Sequence, residues 1–353
     1  MKHKVKLGLY GCGNRTQALL DSIANEGEYE VAALFDLRAE SMRSAQERYG
    51  GEICDSPDKL VAHPGVEAFM ISLDPFAHPK AFFETVEAGK PIFIEKPVAM
   101  TSAEAFKMMR KAREKNVQVH VGFMRRYLPG QQAARKFLAE NDPGKLFSLS
   151  CFWFHAGETE MINMVNHFPG NFRLKLSQIP FHCCHMLDNV IRLAGLPTQV
   201  FSRGLKLVDR VYPSPDEVIS SLAFANGMIG SFHYSSMAYN PAHPYTLHAE
   251  NYSLVFDDSS SLKIYHRPKH RTQRDDGSKD CRDSYHKFIG PDEFTFGPFN
   301  PDIEIILDFL QGARSGSPMK ATLEDAWHVA ELAEAIETSW QENQAKTLPL
   351  NHD

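Results

Sequence analysis

Over the first 125 residues, short β-branched runs alternate with segments of helix length, and this rhythm leaves few folds open. Strands joined by crossover helices run parallel, and a parallel sheet must be covered on both faces. The apolar runs place strands at 5–10, 31–35, 68–73, 92–95 and 117–122. The segments between them carry helix punctuation. Thr101 with Glu104 three residues on reads as a capping box, and Asn116 and Gly89 stand where helices end in a left-handed residue. A doubly wound sheet follows.

After residue 126 the rhythm changes. Alternating stretches at 146–154, 200–208, 218–224, 228–235 and 245–256 are separated by short turns such as Asn226-Gly227, which predicts an antiparallel sheet. One helix, 179–194, interrupts it and ends at Gly195. Residues 267–284 hold six basic and four acidic side chains; mixed signs of that kind read as a solvated loop. A closing helix over 322–340 carries Ala326, Val329, Ala333, Ile336 and Trp340 at helical spacing. The chain is thus read as α/β in two domains, 1–125 and 126–353. A length of 353 residues agrees with that, at roughly 150 residues per domain.

Composition removes several function classes. With 38 Lys plus Arg against 44 Asp plus Glu, a net charge of −6 gives no basic field for a nucleic acid or an anionic membrane. No eighteen apolar residues run together, and residues 1–10 alternate where a signal peptide would be continuously apolar. A cytoplasmic protein is expected. Six cysteines are too sparse for a disulfide framework in a chain this long.

The chemistry begins at Gly11-Cys12-Gly13, which follows a strand and opens a helix, so backbone can approach a pyrophosphate facing the helix N-terminus. Thr16 stands where GxGxxG has its third glycine. Asp36 ends the second strand, where a carboxylate accepts hydrogen bonds from the adenosine ribose. An acid there favours NAD, while Arg15 and Arg38 are close enough in sequence to keep NADP possible.

Together these pieces resemble the glucose-fructose oxidoreductase, inositol dehydrogenase and rhizopine catabolism (Gfo/Idh/MocA) family. The matching residues are Gly11 to Asn14, Pro75 to His78, Ala88-Gly89-Lys90 followed by Glu95-Lys96-Pro97, Gly122-Phe123 with Arg126-Tyr127 and Pro129, His185 to Asp188, and Thr322 to Ala326, in the family's order over nearly the whole length. The resemblance implies an N-terminal Rossmann domain, a C-terminal substrate-binding and oligomerisation domain around an open sheet, and a nicotinamide held between them. It implies NAD contacts from Gly11, Cys12, Gly13, Asn14, Arg15, Asp36, Arg38, Ser72, Leu73, His78, Glu95 and Lys96. It further implies a sugar or polyol substrate and a homodimer or homotetramer built through the open sheet face.

Oxidation of a secondary alcohol couples hydride loss to loss of the hydroxyl proton. Lys96, at the end of a parallel strand, lies where open α/β sheets bind ligands. His185 corresponds to the histidine the family sets against the reacting hydroxyl, with Asp188 as a structural acid one turn on. The family commonly carries an aspartate four residues before that histidine; here the position is Phe181, and His182 is the nearest replacement. Arg126 and His155 complete the expected substrate contacts, with further ones among Asn163, Asn166, His167 and Arg173. Arg126 has a second reading, as a salt bridge between domains. The run His182 to His185 invites a metal reading, but adjacent helical residues diverge by about 100° and cannot all face one ion, so no metal is expected. The leading expectation is an NAD(P)-dependent oxidoreductase acting on a sugar-like or inositol-like polyol or its keto form. An NAD-dependent glycosidase working through transient oxidation, and a catalytically silent sugar or cofactor sensor, are the alternatives.

Overall fold

The alternating N-terminal pattern closes into a six-stranded parallel sheet. The computed structural model of the chain describes residues 3–154, 177–207, 214–238, 243–267 and 289–350. Strands β1 (Val5–Tyr10), β2 (Tyr29–Phe35), β3 (Glu52–Ile53), β4 (Ala68–Ile71), β5 (Ile92–Ile94) and β6 (Val119–Val121) lie in the order β3-β2-β1-β4-β5-β6. Five of them are the expected strands. The sixth, β3, is two residues long, too short for a period-2 signal. Both faces are buried, as parallel strands require: Tyr10, Phe69, Ile71 and Ile94 point to one side, Leu7, Leu9, Met70 and Phe93 to the other.

Helices α1 (Asn14–Ser22) and α2 (Ala39–Tyr49) cover one face; α3 (Pro57–Ala62), α4 (His78–Thr85) and α5 (Ser102–Lys115) cover the other. Thr101 caps α5 through the Glu104 amide, and Asn116 closes it in the left-handed region at φ 51°. α6 (Pro129–Glu140) leads into the second sheet.

Among the described residues that sheet has nine strands, with β7 (Leu146–Phe154), β8 (Gln199–Leu205), β9 (Glu217–Ala223), β10 (Ile229–Ser235), β11 (Pro244–Ala249), β12 (Tyr252–Asp257), β13 (Ser261–His266), β14 (Ile289–Thr295) and β15 (Lys346–Thr347) in the order β14-β13-β12-β11-β7-β10-β9-β8-β15. All pairs are antiparallel except β7 with β10. The stretch read as one strand over 245–256 is a hairpin. Tyr245, Leu247 and Ala249 are buried at odd positions, whereas Tyr252, Leu254 and Phe256 are buried at even ones. That change of phase marks a two-residue turn at Glu250 and Asn251, which keeps both apolar sets on one face while the chain reverses.

The covered face packs on α7 (Cys184–Ala194) and α9 (Leu323–Glu342), the latter opened by a Thr322/Asp325 capping box. The expected helix over 179–194 begins instead with a π turn, Ile179–Cys183. α8 (Pro301–Ser315) returns to the first sheet, where Ile305, Ile306 and Phe309 join Leu7, Leu9 and Phe93 in one core. Among the described residues, no helix is long and apolar enough to cross a membrane.

Candidate active site

β1 ends in a turn that only glycine can make. Gly11 has φ +100°, and a Cβ there would lie 2.2 Å from the Ser72 carbonyl oxygen and 2.8 Å from Leu73. Ser72 and Leu73, at the end of β4, thus form the wall of the glycine turn. Thr16 takes the place of the third glycine: it is buried, and its hydroxyl donates to the Gly11 carbonyl over 2.8 Å. Helix α1 follows Gly13 with no side-chain cap and no acid in its first turn, so its amide end stays open to an anion. Asp36 accepts from the Cys12 amide (2.8 Å) and the Arg38 amide (2.8 Å), leaving a lone pair on each oxygen for hydroxyl donors. Burial, then Asp36, push the Cys12 thiol up to about 12, so this buried side chain stays a neutral thiol. Glycine cradle, open helix end and Asp36 together fit a dinucleotide.

The two arginines flanking this turn part company. Arg38 lies over it, 3.2 Å from the Cβ position of Gly13 and 3.7 Å from Asp36. Arg15 does not: its Nε donates to Glu95 (2.6 Å) and its two terminal nitrogens to Asp302 (2.7 and 2.9 Å). It therefore ties α1 to β5 and α8, and cannot offset the charge of Asp36 as the sequence suggested.

Residues after β5 hold the lysine. Burial raises the Glu95 pKa, but Arg15 and Lys96 outweigh it and keep the carboxylate below its ordinary value. Its second oxygen accepts from the Lys96 amide over 2.9 Å. Gly122 is small because a Cβ there would meet that oxygen at 2.7 Å. The Lys96–Pro97 peptide is cis. His78 is buried, accepts from the Leu73 amide at Nε2 (3.1 Å) and donates from Nδ1 to the Pro97 carbonyl (2.8 Å). Both ring nitrogens are spent on the chain, so His78 locks the loops after β4 and β5 together and has no donor left for a cofactor.

Lys96 meets the second domain at the π turn. Its Nζ donates to the Phe181 carbonyl over 3.3 Å and lies 5.0 Å from the Phe181 ring centre. The same carbonyl receives the Cys184 thiol at 3.3 Å, one residue before His185. His182 stacks on Phe181 with ring centres 4.8 Å apart. His185 is 6% exposed, its ring stands edge-on to Phe123, and its buried Nδ1 has no hydrogen-bond partner. Burial, then the charges of Lys96, Arg125, His182 and Arg15, hold its pKa well below the ordinary value. A neutral imidazole with one unused buried nitrogen thus lies within the field of an ammonium group.

The two adjacent arginines are placed differently. Arg126 is 3% exposed and fully engaged: it pairs with Asp188 through Nε (2.7 Å) and Nη2, with Asp325 through Nη1 (3.0 Å), and with the Lys320 carbonyl. These bonds join the junction to the second domain, as the salt-bridge reading expects, and they occupy the guanidinium donors. Asp188 is structural, as expected. Arg125 lies instead beside the site, pairing with buried Asp258 and stacking 4.4 Å over Trp153. Successive residues in the 3-10 turn Met124–Tyr127 diverge by about 120°, so one arginine faces the core while its neighbour faces the cation-rich junction. Trp153 also contacts His182 (6.5 Å) and His243 (4.5 Å between ring centres). His155, Asn163, Asn166, His167 and Arg173 lie outside the described residues. Among the described residues, no three His, Cys, Asp or Glu side chains gather as a metal site.

Fold and site define a two-part α/β protein with a dinucleotide cradle in its N-terminal sheet. Residues 5–123 match the oxidoreductase family model with an NAD-binding Rossmann fold, and residues 180–350 match the C-terminal alpha/beta domain model of the same family. The chain belongs to the Gfo/Idh/MocA oxidoreductase family. It is 36% identical over 104 residues to the inositol 2-dehydrogenase of Gluconacetobacter diazotrophicus, covering 28% of this chain and 31% of that one. It is 33% identical over 144 residues to the inositol 2-dehydrogenase of Paracoccus denitrificans, covering 38% and 42%. The alignments thus span less than half of these relatives. The fold matches the WlbA dehydrogenase of Bordetella pertussis, solved with NADH and UDP-GlcNAcA, at a TM-score of 0.78 and 18% identity over 99% of this chain and 100% of that one.

Two consequences follow directly from this geometry. Gly11→Ala forces a strained φ and a clash with the Ser72 carbonyl, and should cost about 2 kcal/mol of stability and at least about tenfold in NAD affinity. Calorimetric titration with NAD checks this; wild-type affinity in the variant would show that the cradle is not the cofactor site. The second concerns pH. Burial above all lowers the pKa of His78, His120 and His185 in the fold, while in the unfolded chain each titrates near 6.5. Below that value the unfolded chain takes up protons that the fold refuses, so stability falls with pH. Glu337 opposes one histidine, since burial and then Glu334 push it up to about 7 and it gains its proton in the fold first. Each uncompensated histidine removes up to about 1.4 kcal/mol per pH unit. Urea melts at about pH 7.5 and about pH 5.5 should show lower stability in acid; equal or greater stability there would refute it.

Proposed function

We propose that the protein transfers a hydride between NAD and a hydroxyl-bearing carbon of a sugar-like or inositol-like polyol, or its keto form, with Lys96 and His185 handling the proton. The observation that carries this is the delivery of the Lys96 ammonium to the Phe181 carbonyl, on the turn leading into the helix that carries His185 and its unpartnered Nδ1. Bound NAD supplies the hydride acceptor. His185, held neutral, accepts the proton of the substrate hydroxyl, while Lys96, hydrogen-bonded to that oxygen, eases the proton's departure by stabilising the negative charge that develops there. Phe181, at the position where the family resemblance implied an acid, contributes its carbonyl and ring face to Lys96.

The relatives named as inositol 2-dehydrogenases support a cyclic polyol, and the fold neighbour solved with a nucleotide sugar supports a sugar ring. Asp36 favours NAD; Arg38 beside it leaves room for NADP. The open face of the second sheet presents Phe152, Phe201, Leu205, Ile219 and Ile229, and we assign it to a homodimer or homotetramer. The test is absorbance at 340 nm with NAD and a panel of inositols and sugars, and with NADH and their keto forms. A change with one of them is expected. No change with any, together with sugar-dependent binding of a partner, would favour a silent sensor, the reading that Phe181 supports.

A further inference from the structure

Beyond this site, two arginines stand together without a carboxylate of their own among the described residues. Arg192 occupies the last turn of α7, two turns and about 10 Å along the helix from His185. Its Nη1 is buried and has no hydrogen-bond partner. Arg135 on α6 reaches the same place, its Nη1 donating to the Arg192 carbonyl over 3.4 Å.

The acids nearby are already committed. Asp188 accepts from Nε and Nη2 of Arg126. Asp325 accepts from Nη1 of Arg126 and from the Thr322 amide and hydroxyl. Among the described residues neither Arg135 nor Arg192 forms an ion pair. Three guanidinium groups therefore surround two spoken-for carboxylates. Burial, then Arg126, push Arg135 down; burial, then Arg126 and Arg135, push Arg192 down to about 10. A guanidinium N–H sealed from water forfeits a hydrogen bond, so the cluster lacks both an acceptor and a negative charge.

We propose that Arg135 and Arg192 bind a small oxyanion, the phosphate or carboxylate group of a metabolite, at a site separate from the redox centre. The planar guanidinium fork suits two oxygens of one such group, and the ligand would take up the unused Nη1 donor and balance the excess charge.

The test is the melting temperature of the full chain in sodium phosphate and in sodium acetate, each against sodium chloride at equal ionic strength, for wild type, Arg192→Gln and Arg135→Gln. A saturable rise over chloride is expected for the wild type with at least one of the two anions, and the responding anion tells phosphate from carboxylate. Either substitution should weaken the apparent affinity about tenfold or more, while NADH binding, followed by its fluorescence, stays as in wild type. No rise over chloride in the wild type, or the same rise in both variants, overturns the proposal. Should Arg192→Gln not fold, Arg135→Gln on the neighbouring helix carries the same comparison.

Discussion

Lys96→Met is expected to lower kcat by about a thousandfold while leaving NAD affinity within about threefold of wild type. Methionine keeps most of the side-chain volume and removes the charge. The Lys96 ammonium has no carboxylate partner among the described residues; it rests on the Phe181 carbonyl and ring. It is therefore free to stabilise the charge that grows on a substrate oxygen, a contribution felt in the transition state more than in the ground state. The dinucleotide cradle at Gly11, Gly13 and Asp36 does not use the amine. A merely structural lysine would show the opposite pattern, with a lowered melting temperature and little change in kcat. Steady-state rates with calorimetric NAD binding separate the two, and full activity in Lys96→Met would remove the assigned role.

The second large effect is on folding. Asp188→Leu leaves the Arg126 guanidinium, 3% exposed, without its bidentate partner, and should cost about 3–5 kcal/mol. The double variant Arg126→Met/Asp188→Leu should recover most of that loss, because both desolvation penalties vanish with the pair. Urea denaturation of the two single variants and the double measures the coupling. Strictly additive losses would mean that the pair is not one unit. The pair joins the 3-10 turn after β6 to α7, one helical turn beyond His185, so the single variants should also lose activity before they unfold.

Much of this was legible in the residues. The parallel sheet, the glycine turn, Asp36 and the position of Lys96 follow from local patterns, since strand period, turn chemistry and caps act over a few residues. What escaped the sequence was long-range or directional. Nothing in the composition of residues 301–315 shows that α8 returns to the first sheet rather than the second, because an apolar helix face does not name its partner. The choice between Arg125 and Arg126 turns on which way a 3-10 turn points each side chain, and the more familiar of the pair proved to be the buried one. Arg15 and His78 were expected at the cofactor, but Glu95 with Asp302, and Leu73 with Pro97, already use their polar atoms. The missing third glycine is explained by a bond that spacing cannot reveal, from the Thr16 hydroxyl to the Gly11 carbonyl.

A crystal structure of the protein with NAD and a polyol identified by the absorbance screen examines the redox assignment at its root. The nicotinamide ring is expected at the junction beyond β5, with one substrate oxygen in hydrogen-bonding reach of both Lys96 Nζ and the His185 ring. A nicotinamide bound elsewhere, or a substrate oxygen that meets neither group, would contradict it.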